Sequence, residues 1–215
     1  MRITWLGHSC FLIQTNDGTR IITDPYTVNE RLHYDPVNET ADIVTVSHDH
    51  SDHNNIKAVK GTPTLIRERG NTTVHNISIK SIPSYHDDTQ GKKRGTNLIH
   101  IFSADGMRVC HLGDLGHMLN DGEAAEIGTV DVLLTPVGGL YTIDAKMATN
   151  ICNKLKPRVI IPMHFSTAKL DLPIATEKDF VSNKNNVRRM DSSEVEMTRE
   201  TLPATTEIIV LQYAR

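Results

Sequence analysis

A layered α/β domain is what the apolar runs of this chain predict, on three observations. Short runs of β-type alternation crowd the first half, and from Val130 onward apolar runs alternate with a helical pattern. Asp42–Ser47 is almost continuously apolar, as expected of a strand covered on both faces. The 215 residues suit one domain over 1–215, since no fixed-period repeat, low-complexity tract or Gly/Ser linker divides them.

In chain order, Ile3–Trp5 and Phe11–Gln14 read as short strands. Asn16-Asp17-Gly18 between them and the next strand reads as a tight reversal, in which glycine takes positive φ without strain. Arg20–Thr23 is a strand ending at Asp24-Pro25, and Asp42–Ser47 is the covered one. Asn54–Lys60 is expected as a short helix, Pro63–Ile66 as a strand, and Val74–Ile82 as a pair of edge strands. Asn97–Phe102 and Met107–His111, joined through Ala104-Asp105-Gly106, have the pattern of a hairpin. Val130–Thr135 and Val159–Pro162 are apolar strands. Between them Ile143, Met147, Ile151 and Leu155 repeat on one helical face until Pro157 stops the helix. Thr176 is placed to cap a helix over Glu177–Ser182, and Glu207–Leu211 closes as a strand. The polar stretch Ser182–Glu200 is expected to be a surface loop.

Hydrophobic residues make up 38% of the chain but aromatics only 5%, so the core must be mostly aliphatic. A formal net charge of -3 offers no global basic surface, which argues against a nucleic-acid partner. Cys10, Cys110 and Cys152 form no Cys-x-x-Cys pair. Cys10 and Cys110 lie in apolar stretches and should pack as small hydrophobes in a reducing compartment. With no charged leader and no apolar run of roughly 18 residues, a cytoplasmic protein is expected.

The chemistry is concentrated in His48-Asp49-His50-Ser51-Asp52-His53, directly after the covered strand. Imidazole nitrogens and a carboxylate are the donors a borderline divalent ion prefers. Two histidines one residue apart on a tight loop can point at one ion, and Asp52 and His53 can face a second beside it. Further donors stand just past later strand-type runs: His86 after Ile77–Ile82, Asp114 after Val109–Leu112, and His164 after Val159–Ile161. His8 lies in the first loop between strands, which should face the same edge, and is a candidate substrate contact or general acid. The Thr89–Gly95 loop carries Lys92, Lys93 and Arg94 and can receive a phosphate or carboxylate. Gly138–Thr142, with Tyr141, is a candidate pocket wall.

These residues, in this order, resemble the metallo-β-lactamase superfamily from the first strand to at least His164. The words Leu6-Gly7-His8-Ser9, His111-Leu112-Gly113-Asp114 and Pro162-Met163-His164 are similar to its compact cytoplasmic metal-dependent hydrolase branch, which includes sugar-phosphate lactonase-like members. The resemblance implies a four-layer αββα sandwich with the metals at one edge of the two sheets. It implies that His48, His50 and His86 hold one ion, that Asp52, His53 and His164 hold a second, and that Asp114 bridges both. Asp24 would support the histidine loop, accepting from the second ring nitrogen of a ligand. Aspartate at 114, where several true β-lactamases place cysteine, makes the site harder and suits Zn2+ or Mn2+. The chain lacks room for the inserted domain of the superfamily's RNA-processing nucleases. Asp49 and Ser51 also depart from the glutamate that its redox members tend to carry in this motif.

Two ions about 3.5–4 Å apart can share a water and bring its pKa down to about 7. The expected activity is therefore hydrolysis of a small, anionic ester, lactone or phosphodiester by a hydroxide between two metals, with Asp52 orienting it. A nuclease or RNA-processing factor and a metal-stabilised binding protein without turnover are the competing readings. The net charge of -3 weighs against the first and the complete donor set against the second. The expected partner is a small molecule, not a membrane or nucleic acid, with a homo-oligomer left open.

Overall fold

The structure is a computed structural model that describes residues 1–215. Its strands begin with β1 (Arg2–Gly7), β2 (Cys10–Gln14), β3 (Arg20–Thr23), β4 (Ile43–Thr45) and β5 (Thr64–Ile66). Then come β6 (Gly70–Val74), β7 (Ile77–Tyr85), β8 (Thr96–Ala104) and β9 (Met107–His111). Helices enter in the second half, in the order α1 (Asp121–Ile127), β10 (Val132–Pro136), α2 (Ala145–Leu155), β11 (Val159–Met163) and α3 (Glu177–Val181). The chain ends with β12 (Val187–Arg189), β13 (Glu194–Glu196) and β14 (Glu207–Val210). One sheet has six strands in the order β13-β1-β2-β3-β4-β5, and the other has eight in the order β12-β14-β11-β10-β9-β8-β7-β6.

Side-chain alternation decides the layering. Ile3, Trp5, Phe11, Ile13, Ile21 and Ile43 of the smaller sheet join a 43-residue core with the strands of the larger one. Leu6, Cys10, Ile22 and Val44 point the other way, into a second cluster of 13 residues roofed by Tyr26, Leu32, Tyr34, Val37 and Val59. That roof is coil plus one 3₁₀ turn, Ile56–Ala58, because Pro25 and Pro36 interrupt any helix there. The α-helices lie against the larger sheet, where the Glu126 carbonyl accepts from Lys80 of β7 and the Ile127 carbonyl from Arg108 of β9. The layers are those of an αββα sandwich in which coil forms the outer cover of the smaller sheet. Parallel neighbours β10 and β11 are buried at every position. Each Leu or Ile they hide contributes roughly 1.5–3 kcal/mol of apolar burial.

Most elements start and end within a residue or two of expectation, with exceptions that have local causes. Asn54–Lys60 condenses to the 3₁₀ turn, since Asn55 makes no side-chain cap. Val74–Ile82 is not a pair of edge strands. The chain reverses at His75 and Asn76, both at positive φ, leaving β6 at the edge and β7 inside between β6 and β8. Ser182–Glu200 is not a plain loop, because β12 and β13 within it finish one edge of each sheet. Strands of three residues carry too little periodicity to read. Helix α1, which the apolar pattern does not reveal, is held by a capping box. There the Asn120 side chain accepts from the Glu123 N–H while the Glu123 carboxylate accepts from the Asn120 N–H.

Strand ends position the candidate donors: β1 runs into His8, β3 into Asp24, β4 into the histidine motif, β7 into His86, β9 into Asp114 and β11 into His164. All these strands finish at one edge of the stacked sheets. No helix is long and apolar enough to cross a membrane.

Candidate metal centre

Asp114 is the focus of the site. Its Oδ2 lies 3.2 Å from Nε2 of His164, 3.3 Å from Nε2 of both His53 and His86, and 4.0 Å from Nε2 of His48. Gly113 makes this delivery feasible. It has φ +56, and a Cβ there would stand 2.3 Å from Asn97 Oδ1 and 2.6 Å from Ser47 Cβ, so a larger residue would pry β9 away from the end of β4. Asn97 Oδ1 accepts the Asp114 N–H at 2.9 Å, and its amide donates to Ser84 Oγ and to the Leu112 carbonyl. Sequence reasoning passed over Asn97; its one signal is a polar residue opening an apolar strand.

Asp24 works behind the histidine loop. Fully buried, it accepts from the Ser47 N–H at 2.7 Å and the Ser47 hydroxyl at 2.6 Å. Burial works to raise its pKa, but the His53 hydrogen bond and the charge of His111 hold it at about 2. An ionised carboxylate only accepts, so His53 Nδ1–H donates to it at 3.0 Å, which leaves Nε2 to face Asp114. Ser47 Oγ also meets His48 Nδ1 at 2.9 Å, which fixes a second ring through the same aspartate.

His48, His50 and His86 each bring one ring nitrogen within 4.8 Å of the other two, and so do His8, His53 and His164. Asp52 Oδ2 stands 3.8 Å from His53 Nε2, with its side chain 29% exposed. His8 does not reach the cleft as a substrate contact or acid. It is 0% exposed, its Nε2 being 3.4 Å from Asp52 Oδ2.

This donor set fits divalent ions by its own chemistry. His53 Nε2 and Asp114 Oδ1 are buried without a hydrogen-bond partner, and the Nε2 atoms of His48, His86 and His164 surround the same carboxylate. Lone pairs gathered around a buried carboxylate repel each other, and a cation among them reverses the sign. Burial pushes His48 down to about 3, so it stays neutral, the form in which imidazole binds metal. Burial opposes ionisation of Asp114, but His164 and His53 hold its carboxyl well below the usual range.

A cavity of ≈ 530 Å³ opens over the centre, with Asp52, His86 and Asp114 on its floor and Arg31, Lys93, Arg94 and Tyr141 on its walls. The basic loop is built around a buried carboxylate. Asp87 accepts from the N–H groups of Thr89, Gly91, Lys93 and Arg94 and from the Thr89 hydroxyl, all at 2.7–2.9 Å. Burial opposes the charge on Asp87, but these bonds hold its carboxyl well below the ordinary range. Arg94 lies over the Tyr141 ring, 5.2 Å from its centroid. Lys92, expected beside them, is exposed and lies off the cavity, since the turn of the loop points it away. Arg31 is the wall residue that sequence reasoning missed, an isolated cation in a polar loop. Its segment is clamped by the Asp171 N–H to the Arg31 carbonyl and the His33 N–H to the Lys169 carbonyl, each at 2.8 Å.

Comparisons with known proteins agree with this geometry. Residues 2–164 match the family described as a beta-lactamase superfamily domain. A metal-dependent hydrolase of Carboxydothermus hydrogenoformans is 30% identical over 200 residues, 78% of this chain and 85% of its own length. A Thermotoga maritima structure, assigned as a Zn-dependent hydrolase of the metallo-β-lactamase superfamily, superposes with a TM-score of 0.83 at 37% identity, covering 98% of this chain and 97% of its own. A metal-dependent hydrolase structure from Parabacteroides distasonis, 21% identical over 98% of this chain and 93% of its own, shares the fold with a TM-score of 0.68.

Proposed function

The chain belongs to the metallo-β-lactamase superfamily as a metal-dependent hydrolase, and from that premise we propose that it uses two metal ions to hydrolyse a small anionic ester, lactone or phosphodiester. The observation that carries this reading is the Asp114 carboxylate among the Nε2 atoms of His48, His53, His86 and His164. In it His48, His50 and His86 would hold one ion, Asp52, His53 and His164 would hold the other, and Asp114 would be shared between them. The nitrogen and oxygen donors suit Zn2+, and Mn2+ as the alternative. Divalent ions bound there supply a Lewis acid for the carbonyl or phosphoryl oxygen and bring the pKa of a water to about 7.

The remaining work falls to the chain. Asp24 holds the Nδ1–H of His53 and so turns its Nε2 towards Asp114. Asp52 faces the cleft and orients the attacking water through its free carboxylate edge. Arg31, Lys93 and Arg94 hold the anionic part of the substrate beside the reacting group. Tyr141 fixes the plane of the Arg94 guanidinium, so the anion is bound in one orientation.

The test pairs metal content per chain, by elemental analysis of protein purified without chelator, with turnover of bis-p-nitrophenyl phosphate and of a simple lactone. Two Zn or Mn per chain and chelator-sensitive turnover are expected, the preferred probe naming the substrate class. A chain that takes up no metal after reconstitution overturns the proposal.

A further inference from the structure

His8 is the polar side chain that the proposed ligand set leaves unused. It sits in the turn joining β1 to β2, where the strand register breaks between Trp5 and Gly7. Its own backbone is at φ +52, a conformation that a side-chain-bearing residue keeps only when its surroundings impose it. The surroundings are specific. The His8 carbonyl accepts from Trp5 Nε1–H at 2.9 Å and from the His164 N–H at 3.1 Å, tying the turn to the end of β11. Gly7, at φ +134, packs against the Tyr34 ring, which stands 2.7 Å from where a Cβ would be.

The turn delivers the imidazole inward. The His8 ring centroid lies 4.2 Å from that of His164 and 5.0 Å from that of His53. The ring is completely buried, and neither of its nitrogens has a hydrogen-bond partner. A neutral imidazole has one N–H and one lone pair to satisfy, and a dry interior penalises leaving both unmet. One nitrogen each of His8, His53 and His164 gather within 4.8 Å, as closely as those of His48, His50 and His86.

We infer that His8 is a ligand of the second metal ion, so that each ion has three imidazoles. This inference rests on the two-metal reading above and goes beyond its ligand set. It explains the strained backbone, the total burial and the unpartnered ring in one step. It also gives the second ion five protein donors: His8, Asp52, His53, Asp114 and His164. That number exceeds the four of a tetrahedral zinc site and suits an ion that accepts five or six nitrogen and oxygen ligands, such as Mn2+.

The rival account is a positioning one, in which His8 Nε2–H donates to Asp52 Oδ2 across their 3.4 Å separation. Calorimetric titration of the metal-stripped full chain with Mn2+, and separately with Zn2+, tells the two apart. The chain, His8→Ala and His8→Gln are compared, each first shown to melt as the wild type does without metal. Glutamine can still donate to Asp52 but replaces no imidazole ligand. Two binding steps are expected in the wild type, one of them weakened tenfold or more in both variants while the other is unchanged. Restoration of that step by Gln but not Ala overturns ligation in favour of positioning, and unchanged binding in both variants overturns it outright. A wild type that binds fewer than two ions overturns the two-metal reading itself.

Discussion

At the candidate centre two buried aspartates face the same histidine from opposite sides, and only the protons separate their roles. Asp24 meets the Nδ1–H of His53, while Asp114 meets its Nε2, the nitrogen turned towards the other imidazoles. The first contact is complete within the protein; in the two-metal reading proposed above, the second would be completed by a cation. Asp114→Ala is therefore expected to cut metal content below two per chain and bring turnover to background, read by elemental analysis beside the rate. Full occupancy and an unchanged rate would sink the bridging assignment. His100 shows the contrasting case of a buried histidine with nothing missing, since Ser81 Oγ meets its Nδ1 and the Val46 carbonyl its Nε2. Burial pushes its pKa down to about 4, from an ordinary 6.5. Between those values the unfolded chain binds the proton more readily, so stability rises with pH. His100 thus contributes fully above about pH 6.5, and that contribution is lost as pH falls towards 4. His100→Gln should flatten the pH dependence of the urea midpoint in that window, and parallel curves for the two proteins would contradict this account.

Among the elements, the loops at the strand ends differ in how they are held. The basic loop looks in sequence like a mobile, solvated excursion with glycines at both ends. In the structure Asp87 accepts five hydrogen bonds from it and fixes which cations reach the cavity. Lys93 and Arg94 line that cavity and Lys92 does not. Arg94→Ala is expected to raise KM for an anionic substrate about tenfold or more, the equivalent of one charge-assisted hydrogen bond of ~1.5–3 kcal/mol. Lys92→Ala should leave KM within about twofold, the scale of an exposed charge. Steady-state kinetics with a charged and a neutral ester distinguish these, since equal effects of Arg94→Ala on both refute anion reading.

On the scale of the whole molecule, the site is where two sheets meet. Candidate donors that follow β4, β7, β9 and β11 converge, so filling the centre would tie both halves of the fold together. An ion that binds only the folded chain at a thousand times its Kd stabilises it by about 4 kcal/mol. In a chain of this size that raises Tm by roughly 10 °C. Calorimetry of the chelator-stripped and the metal-loaded protein measures it, and identical melting curves would mean that these residues bind no metal. By itself the sequence determined the layered α/β class and where most elements run, because apolar periodicity is a local property of the chain. It also pointed to the residues that cluster, since His48, His50, Asp52, His53, His86, Asp114 and His164 all follow strand-type runs that a layered sheet aligns at one edge. What it could not carry depends on contacts far apart in sequence. The short strands β12 and β13 exist only because a sheet edge is there to pair with. Arg31, Asn97 and Ser47 matter through neighbours that the fold supplies. The exclusion of Lys92 from the cavity and the burial of His8 behind Asp52 were decided by packing alone, since where a side chain points is set by what surrounds it.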